Sequence, residues 1–238
     1  DICCGHSHSL FLLENNEVWS CGYNQQQQLG RNVASGSPEV VNLGKAFSQA
    51  SSIACNESGS IFISDNGEAW NCGSNYYGEC GRVTESEFSS KLGKVPGLSN
   101  IAKVVTGLQV TFFITQARQI WSCGSNSLGE LGRITASRGY YNSPNLGRND
   151  NLPNVIDVIP CGNTTYFLDS NHDVWSCGNN RDGRLFRTGV ESGNMTSSNF
   201  GKVGLISNIV SISSAPHTNR HVLLLNNKGE VFSGGHNG

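Results

Sequence analysis

Two histidines occupy equivalent places in the sequence, and paired imidazoles could bind a metal ion or transfer a proton. His8 precedes the run Ser-Leu-Phe-Leu, and His221 precedes Val-Leu-Leu-Leu. Two histidines alone are too few for the three or four protein ligands of a zinc site. We therefore expect structural hydrogen bonds at both positions, with a ligand or proton-transfer role as the alternative, and predict no metal and no cofactor.

Other patterns that could support catalysis or phosphate binding fit structural roles better. Repeated Gly-x-Asn-x-x-Gly loops differ in spacing from phosphate-binding loops and do not open a helix. We expect their glycines to adopt positive φ and their asparagines to hold the turn. No Gly-x-Ser-x-Gly nucleophile elbow occurs, so we predict no catalytic residues and no enzymatic group chemistry. Carboxylates in hairpin turns are normally solvated and do not act as a paired acid and base; those in predicted turns are Glu14, Glu17, Asp65 and Glu68.

The sequence contains nine cysteines, which raises the alternatives of a disulfide framework, a zinc site or free thiols. The number is odd, and equivalent positions of neighbouring repeats are too far apart to bridge. No Cys-x-x-Cys pair is matched by a second Cys or His pair, as a structural zinc site requires. We therefore predict small buried hydrophobic residues in a reducing compartment, most clearly at the recurring motif positions Cys21, Cys72, Cys123 and Cys177.

Composition and charge exclude two further classes of function. The formal net charge is −2 and the pI is about 6.3, so no sequence-wide positive field exists for a phosphate backbone and we expect no nucleic-acid binding. The longest apolar runs, such as Val222 to Leu225, are far shorter than the roughly 20 residues of a membrane-spanning helix. Asp1 is not a start methionine, and we interpret the chain as an excised domain.

The dominant feature of the sequence is a tandem repeat. The segment Val-Trp-Ser-Cys-Gly-Tyr-Asn at 18–24 returns in variant form at 69–75, 120–126 and 174–180, and more weakly at 231–237. Its aromatic residues are separated by 51, 51, 54 and 57 residues, a period typical of propeller blades and longer than that of most solenoids. The repeated positions that we assign to structure are Trp19, Trp70, Trp121, Trp175, Phe232, Gly22, Gly73, Gly124 and Gly178.

Each repeat carries the signals of four short strands. In each repeat an apolar strand precedes a hairpin. In the second repeat the hairpin turn, at 65–68, contains the strong hairpin signal Asn-Gly. A Gly-rich loop then leads to a fourth strand containing Leu/Phe-Gly-Lys/Arg. Such meanders bury both faces only by stacking around an axis. We predict an all-β propeller of about five four-stranded antiparallel blades, the last lacking its outer strand unless residues beyond 238 supply it. The single domain 1–238 divides into repeats of approximately 1–41, 42–90, 91–144, 145–198 and 199–238.

The repeat resembles that of the regulator of chromosome condensation family. The segment Cys-Gly-His-Ser-His-Ser-Leu-Phe-Leu at 4–12 precedes Glu-Val-Trp-Ser-Cys-Gly-Tyr-Asn, and Gly-Ser-Asn-Ser-Leu-Gly-Glu-Leu-Gly at 124–132 matches the end of the family motif. Kelch and WD-repeat propellers are the alternatives: the Kelch Gly-Gly doublet occurs only at 234–235, and WD-repeat units are shorter and lack the Gly-x-Asn segment. Family propellers usually have seven blades, so a smaller closed ring and part of a larger ring are both open. The family histidine at His8 and His221 is replaced in the other repeats by Gly59, Val110 and Thr164.

The resemblance implies small-GTPase biology. The founding member of the family promotes guanine-nucleotide exchange on the small GTPase Ran, and exchange needs no catalytic acid or base, because the factor binds the nucleotide-free state more tightly. We expect a monomeric interaction propeller that binds a Ran-like small GTPase, with exchange as its further effect. The alternative is a GTPase-independent scaffold or protein inhibitor. We expect an intracellular location, cytoplasmic or nuclear, or the host cytosol for a bacterial effector.

Variable loops are the expected contact sites, because structure already explains the constant positions. The connections that follow the third and fourth motif copies are the longest, and Arg and Tyr are enriched at interface hot spots. A role of the third-loop tyrosines in packing the outer blade is the alternative. The predicted partner-contact residues are Arg138, Tyr140, Tyr141, Arg181, Asp182, Arg184 and Met195.

Overall fold

The computed structural model describes residues 1–33, 41–87, 90–135, 145–187, 197–204, 206–214 and 221–235. Within these ranges the chain forms nineteen β-strands and one 3-10 helix, Arg181–Gly183. The strands form five antiparallel sheets, and each strand pairs with its neighbours in sequence. In the same ranges, no helix is long and apolar enough to span a bilayer.

The strand bounds follow the repeat. The first sheet contains β1 (Ile2–Cys4), β2 (His8–Leu12), β3 (Val18–Gly22) and β4 (Val41–Phe47), and the second contains β5 (Ala50–Cys55), β6 (Gly59–Ser64), β7 (Ala69–Gly73) and β8 (Ser90–Lys94). The third contains β9 (Ile101–Thr106), β10 (Val110–Thr115), β11 (Ile120–Gly124) and β12 (Gly147–Arg148). The fourth contains β13 (Val155–Cys161), β14 (Thr164–Asp169), β15 (Val174–Gly178) and β16 (Ser197–Lys202), and the fifth contains β17 (Ile209–Ser214), β18 (His221–Asn226) and β19 (Val231–Gly235).

The central hairpin has the same register in all five sheets. Its motif glycine pairs with the first residue of the preceding strand, as in Val110 with Gly124 and His221 with Gly235. Two residues separate the glycine from the aromatic position, which is Phe232 in the last sheet. The predicted all-β propeller of antiparallel blades is therefore confirmed, with three strands in the fifth sheet.

Four hydrophobic clusters fill the spaces between consecutive sheets. Each sheet places an apolar residue of its second strand against the preceding sheet, and these side chains are fully buried at Phe62, Phe113, Phe167 and Leu224. None of these clusters joins the fifth sheet to the first. The far face of the fifth sheet is correspondingly exposed, by 44% at Leu223 and 62% at Val231.

Neighbouring blades approach each other closely at the repeated cysteine. A Cβ added to Gly132 would lie 3.3 Å from the Cys177 Sγ atom, and Gly81 has the same relation to Cys123. Between the fourth and fifth sheets, Phe186 occupies the repeat position of Gly132. Gly234 occupies the repeat position of Cys177. A Cβ on Gly234 would lie 2.1 Å from the Phe186 ring. The large and small residues have therefore exchanged places across this last junction.

The prediction of free cysteines is confirmed at the motif positions, where Cys72, Cys123 and Cys177 are buried and Cys21 is half-buried. It is wrong for Cys3 and Cys55, which form a disulfide between the first two sheets with their Cα atoms 5.9 Å apart.

The position of Cys3 and Cys55 in the repeat explains why their disulfide could not be predicted by comparing equivalent residues of neighbouring repeats. Cys55 is the repeat equivalent of Cys4, so the bridge joins positions offset by one residue. Because successive strand residues point to opposite faces, the offset lets Cys3 and Cys55 face each other across the gap between blades. Equivalent positions, which the sequence reasoning compared, point in the same direction and cannot meet.

Candidate protein-interaction surface

Among the described residues, one face of the propeller carries two loops from each of the first four blades. In an antiparallel meander, the turn after the first strand and the loop after the third strand lie at the same end. The five sheets share one strand order, and their innermost strands contact one another in sequence. We call this surface the loop face. Among the described residues it consists of 5–7, 23–33, 56–58, 74–87, 107–109, 125–135, 162–163 and 179–187.

The longer loops of this face share one turn, which an asparagine side chain holds in place. The Asn75 Oδ1 atom accepts a hydrogen bond from the Cys80 backbone N–H at 2.8 Å. The same contact, to the residue five positions later, recurs at 2.9 to 3.1 Å in the other three loops. The asparagines thus give the four turns a common backbone; they are Asn24, Asn75, Asn126 and Asn180.

The two residues that follow each asparagine differ in every loop, and the first of each pair is exposed. We call these pairs the tip dipeptides, because they lie outside the shared hydrogen bond. An invariant backbone with variable exposed side chains is the arrangement expected of a recognition surface. The tip dipeptides are Gln25-Gln26, Tyr76-Tyr77, Ser127-Leu128 and Arg181-Asp182.

The tyrosine pair is the largest apolar feature of these tips. The Tyr76 side chain is 39% exposed, and its ring packs edge-on against Tyr77 with centroids 4.8 Å apart. Sequence reasoning treated both residues only as part of the repeat motif and did not select them. Their signal was available, because a pair of tyrosines at a predicted turn exposes interface-type side chains where a structural turn needs none.

Three of the predicted contact residues lie together in the fourth loop. Arg181 and Asp182 belong to the 3-10 helix at its tip, and Arg181 is exposed. Arg184 is half-buried behind them, and its carbonyl oxygen accepts the hydroxyl hydrogen of Tyr166. The remaining predicted contacts lie outside the described residues; they are Arg138, Tyr140, Tyr141 and Met195.

Two buried carboxylates lie beneath the tips. Glu79 and Glu130 occupy the position that Gln28 has in the first loop. The Glu79 Oε2 atom accepts the Tyr77 backbone N–H at 2.8 Å, as the Gln28 Oε1 atom accepts that of Gln26 at 3.0 Å. Burial raises the pKa of the Glu79 carboxyl to about 7 and also raises that of Glu130. Sequence reasoning missed both, because a glutamate in a polar loop gives no sign of its burial.

These raised pKa values predict that acid stabilises the fold over part of the pH range. The folded chain holds a proton on Glu79 that the unfolded chain loses near its ordinary pKa of 4.5. The contribution of Glu79 to stability is therefore fully present below about pH 4.5 and is lost, by about 3 kcal/mol, as the pH rises through 7. Glu79→Gln keeps the acceptor oxygen and removes the charge, so we expect it to raise Tm by roughly 5 °C or more at about pH 8 and to change little at about pH 5.

Thermal unfolding at the two pH values measures this effect, with Glu85→Gln as the control because Glu85 is an exposed carboxylate of the same loop. A Glu79→Gln protein whose Tm difference from the parent is the same at both pH values would contradict the prediction.

His8 forms the structural hydrogen bond that the sequence predicts, whereas no such hydrogen bond of the exposed His221 side chain is seen among the described residues. The His8 Nε2 atom lies 3.0 Å from the Ser60 Oγ atom, in a buried hydrogen bond between the first two sheets. Burial lowers the pKa of His8 to about 4. His221 is exposed on β18. Over the described ranges, no group of three or more His, Cys, Asp or Glu side chains has the arrangement of a metal site.

Comparison with known proteins agrees with this architecture. Residues 1–28 match the family described as Regulator of chromosome condensation (RCC1) repeat. The human "RCC1-like G exchanging factor-like protein" is 28% identical over 145 residues, which cover 57% of this chain and 31% of that protein. The human "Probable E3 ubiquitin-protein ligase HERC6" is 28% identical over 245 residues, which cover 98% of this chain and 23% of that protein. The chain therefore spans less than a third of the length of these relatives.

Two solved structures share the fold across the chain. Human WBSCR16 superposes with a TM-score of 0.80 at 19% identity, covering 99% of this chain and 62% of that one. Prp20p of Saccharomyces cerevisiae, whose structure was determined together with its binding properties to Gsp1p and histones, gives a TM-score of 0.80 at 22% identity, covering 99% and 56%. With its five sheets in a common register, the chain is a β-propeller protein, and its repeats are similar to those of the regulator of chromosome condensation family.

Proposed function

We propose that the loop face binds a small GTPase of the Ran type and promotes its nucleotide exchange. The observation that carries the proposal is the set of tip dipeptides, in which unrelated side chains stand on four turns of identical construction. A rigid backbone presents Tyr76, Tyr77 and Arg181 with little loss of conformational entropy on binding. Tyrosine and arginine are also the side chains that most often dominate interface energetics.

The relatives support a GTPase as the partner. One is named a G exchanging factor-like protein, and Prp20p, which shares the fold, was characterised with Gsp1p. The chain covers only part of each of these two proteins, so we propose a related activity for it. With such a GTPase as its partner, we propose that this chain acts in the cytoplasm or nucleus.

Exchange on this surface requires selective binding and no proton transfer. A factor that binds the nucleotide-free GTPase more tightly than the nucleotide-bound form lowers nucleotide affinity by the same ratio, because binding linkage is reciprocal. The tip dipeptides would supply aromatic area and a positive charge for these contacts. We assign the longer third and fourth loops the same role, with Arg138, Tyr140, Tyr141 and Met195 as contacts.

The test is the release of fluorescent GDP from Ran in the presence of the 238-residue chain. We expect accelerated release, and we expect Tyr76→Ala with Tyr77→Ala to reduce the acceleration about tenfold or more, as for a hot spot. Arg181→Ala should act in the same direction. Arg118→Ala is the matched control, because Arg118 is exposed in the β10–β11 turn at the opposite end of its blade. The double variant Arg138→Ala with Tyr140→Ala tests the third loop.

A scaffold or inhibitor without GTPase activity is the second candidate. The relative that matches 98% of this chain is named an E3 ubiquitin-protein ligase and not an exchange factor, so the same repeats occur in proteins of another class. If no GTPase of a small-GTPase panel releases GDP faster, exchange is excluded. Capture of a protein that depends on Tyr76 and Tyr77 but not on Arg118 would then support the scaffold function.

A further inference from the structure

The β10–β11 turn of the third sheet differs in charge from the corresponding turns of the other sheets. Its four residues, at 116–119, are Gln-Ala-Arg-Gln and include no acid, whereas the turns at 14–17 and 65–68 contain two acids each. The last turn position is Gln119 in the third sheet and an acid in the other four sheets, namely Glu17, Glu68, Asp173 and Glu230. Arg118 therefore gives this turn a positive charge that no acid of the turn neutralises.

The acid at the last turn position normally pairs with a basic residue of the outer strand. The three such pairs are Glu17 with Lys45, Glu68 with Lys94 at 2.5 Å, and Asp173 with Lys202 at 2.6 Å. In the third sheet Arg148 occupies the lysine position, opposite Trp121. Its Nε atom binds Asp150, and among the described residues none accepts a hydrogen bond from its two terminal nitrogens. Arg148 thus keeps donors that a ligand can use.

Arg118 has an unfavourable backbone conformation. Its φ of 58° lies in the left-handed region, where the equivalent residues of the other sheets are Asn16, Gly67, His172 and Gly229. Glycine and asparagine adopt this region at the least cost, whereas an arginine is strained there. The Arg118 side chain is exposed, and in the described part of the chain no group binds it. A strained residue whose side chain makes no contact within the fold points to a role in binding.

Arg118 and Arg148 line the same cavity, of about 210 Å³. The cavity lies between the β10–β11 turn and the connection from β12 to β13, at the end of the blade opposite the loop face. Ile120, Leu152 and Pro153 supply apolar parts of its wall. Small-molecule sites usually enclose roughly 300–1,000 Å³, so this cavity has a size suited to a single side chain.

From this arrangement we propose that the cavity binds the carboxylate of a glutamate or aspartate side chain of a partner protein. The planar donor forks of two guanidinium groups match the two oxygens of a carboxylate and bind it through charge-assisted hydrogen bonds. Leu152 and Pro153 contact the methylene stem of the acidic side chain. Asp150 also lines the cavity, and its charge favours a singly charged carboxylate over a phosphate dianion. The site is separate from the loop face and does not depend on GTPase binding.

The test is an NMR titration of the isotope-labelled 238-residue chain with the capped peptide Gly-Ser-Glu-Ser-Gly. We expect saturable shifts of the Arg118 and Arg148 Nε–H signals and of the backbone amides at 117–120 and 148–154. The same peptide with glutamine in place of glutamate should bind at least about fivefold more weakly, because it loses both ion pairs.

Two variants separate binding from folding. Arg118→Asn copies Asn16 of the first sheet, and it should weaken peptide binding about two- to fivefold, the range of an exposed ion pair, without lowering Tm. Gln119→Glu restores the acid of the other sheets, which should pair with Arg148 and weaken binding by a similar factor, again without lowering Tm. Lys94→Gln is the matched control, because Lys94 occupies the Arg148 position in the second sheet; it should leave binding unchanged.

Absence of saturable shifts at Arg118 and Arg148, or equal binding of the glutamine peptide, would overturn the proposal. Tighter binding of inorganic phosphate or of free glutarate than of the peptide would indicate a site for a small anion and would overturn the assignment to a partner protein. Unchanged binding by both Arg118→Asn and Gln119→Glu would contradict the assigned residues. The comparison of the two peptides on the parent chain remains decisive if a variant fails to fold.

Discussion

Gly124→Ala is expected to lower the stability of the protein by more than about 3 kcal/mol, because strain and overlap act together. Gly124 ends β11 at a φ of 110°, a conformation that L-residues with a side chain rarely adopt. A Cβ at this position would lie 2.2 Å from the carbonyl oxygen of Gln109. Backbone atoms hold both sides of this contact, so no side-chain rotation relieves it. The same glycine recurs in every blade, which makes the effect a property of the repeat.

Gly183→Ala provides the control for this substitution. Gly183 also has a positive φ, of 68°, but nothing lies within 4 Å of its would-be Cβ. We expect a cost of about 1 kcal/mol from conformational strain alone. Thermal unfolding should therefore show a drop in Tm of roughly 6 °C or more for Gly124→Ala and clearly less for Gly183→Ala. Equal drops would mean that the close approach of the two strands contributes nothing.

The exchanged residues between the fourth and fifth sheets predict a rescue. Gly234→Cys should destabilise the chain by about 1–3 kcal/mol, because its new side chain overlaps the Phe186 ring. Phe186→Gly should lower the free energy of unfolding by about 2–3 kcal/mol through lost packing. Part of this loss is offset because glycine adopts the positive φ of 52° at this position without strain. The double variant recreates the Gly132 and Cys177 pair of the preceding junction. We expect it to be at least about 1 kcal/mol more stable than the sum of the single changes indicates.

Tm values of the parent, both single variants and the double variant measure this coupling. Additive effects would show that the two side chains do not share one space. A Gly132→Ala variant checks the normal arrangement, because its Cβ would stand 3.3 Å from the Cys177 Sγ atom and a similar distance from the Phe167 ring.

The blade architecture could be predicted from the sequence because every blade repeats the same sequence motif. A Gly-x-Asn turn and an aromatic strand position could each arise by chance once, but five copies at a near-constant period define a sheet per repeat and its register. The same logic limited the cysteine prediction. Only equivalent positions were compared, so the Cys3 and Cys55 pair, which is offset by one residue, was missed.

The candidate interaction surface could be predicted only in part, for a different physical reason. Charge made Arg181 and Asp182 conspicuous, whereas the burial of Glu79 depends on the neighbouring blade and leaves no local trace in the sequence. Tyr76 and Tyr77 resembled motif positions until the asparagine hydrogen bonds showed which turn residues are structurally free. The contact roles of Arg138, Tyr140, Tyr141 and Met195 remain predictions.

The first and fifth sheets of this 238-residue chain are held unequally. Every inner blade is packed on both faces, while the fifth sheet shares a cluster only with the fourth and leaves Leu223 and Leu225 in contact with water. The first sheet also has a single neighbour, but a covalent bond secures it at Cys3. Because each unit of a repeat array gains stability from the units packed against it, we expect the backbone amides of the fifth sheet to exchange sooner than those of the disulfide-linked first sheet in the 238-residue chain.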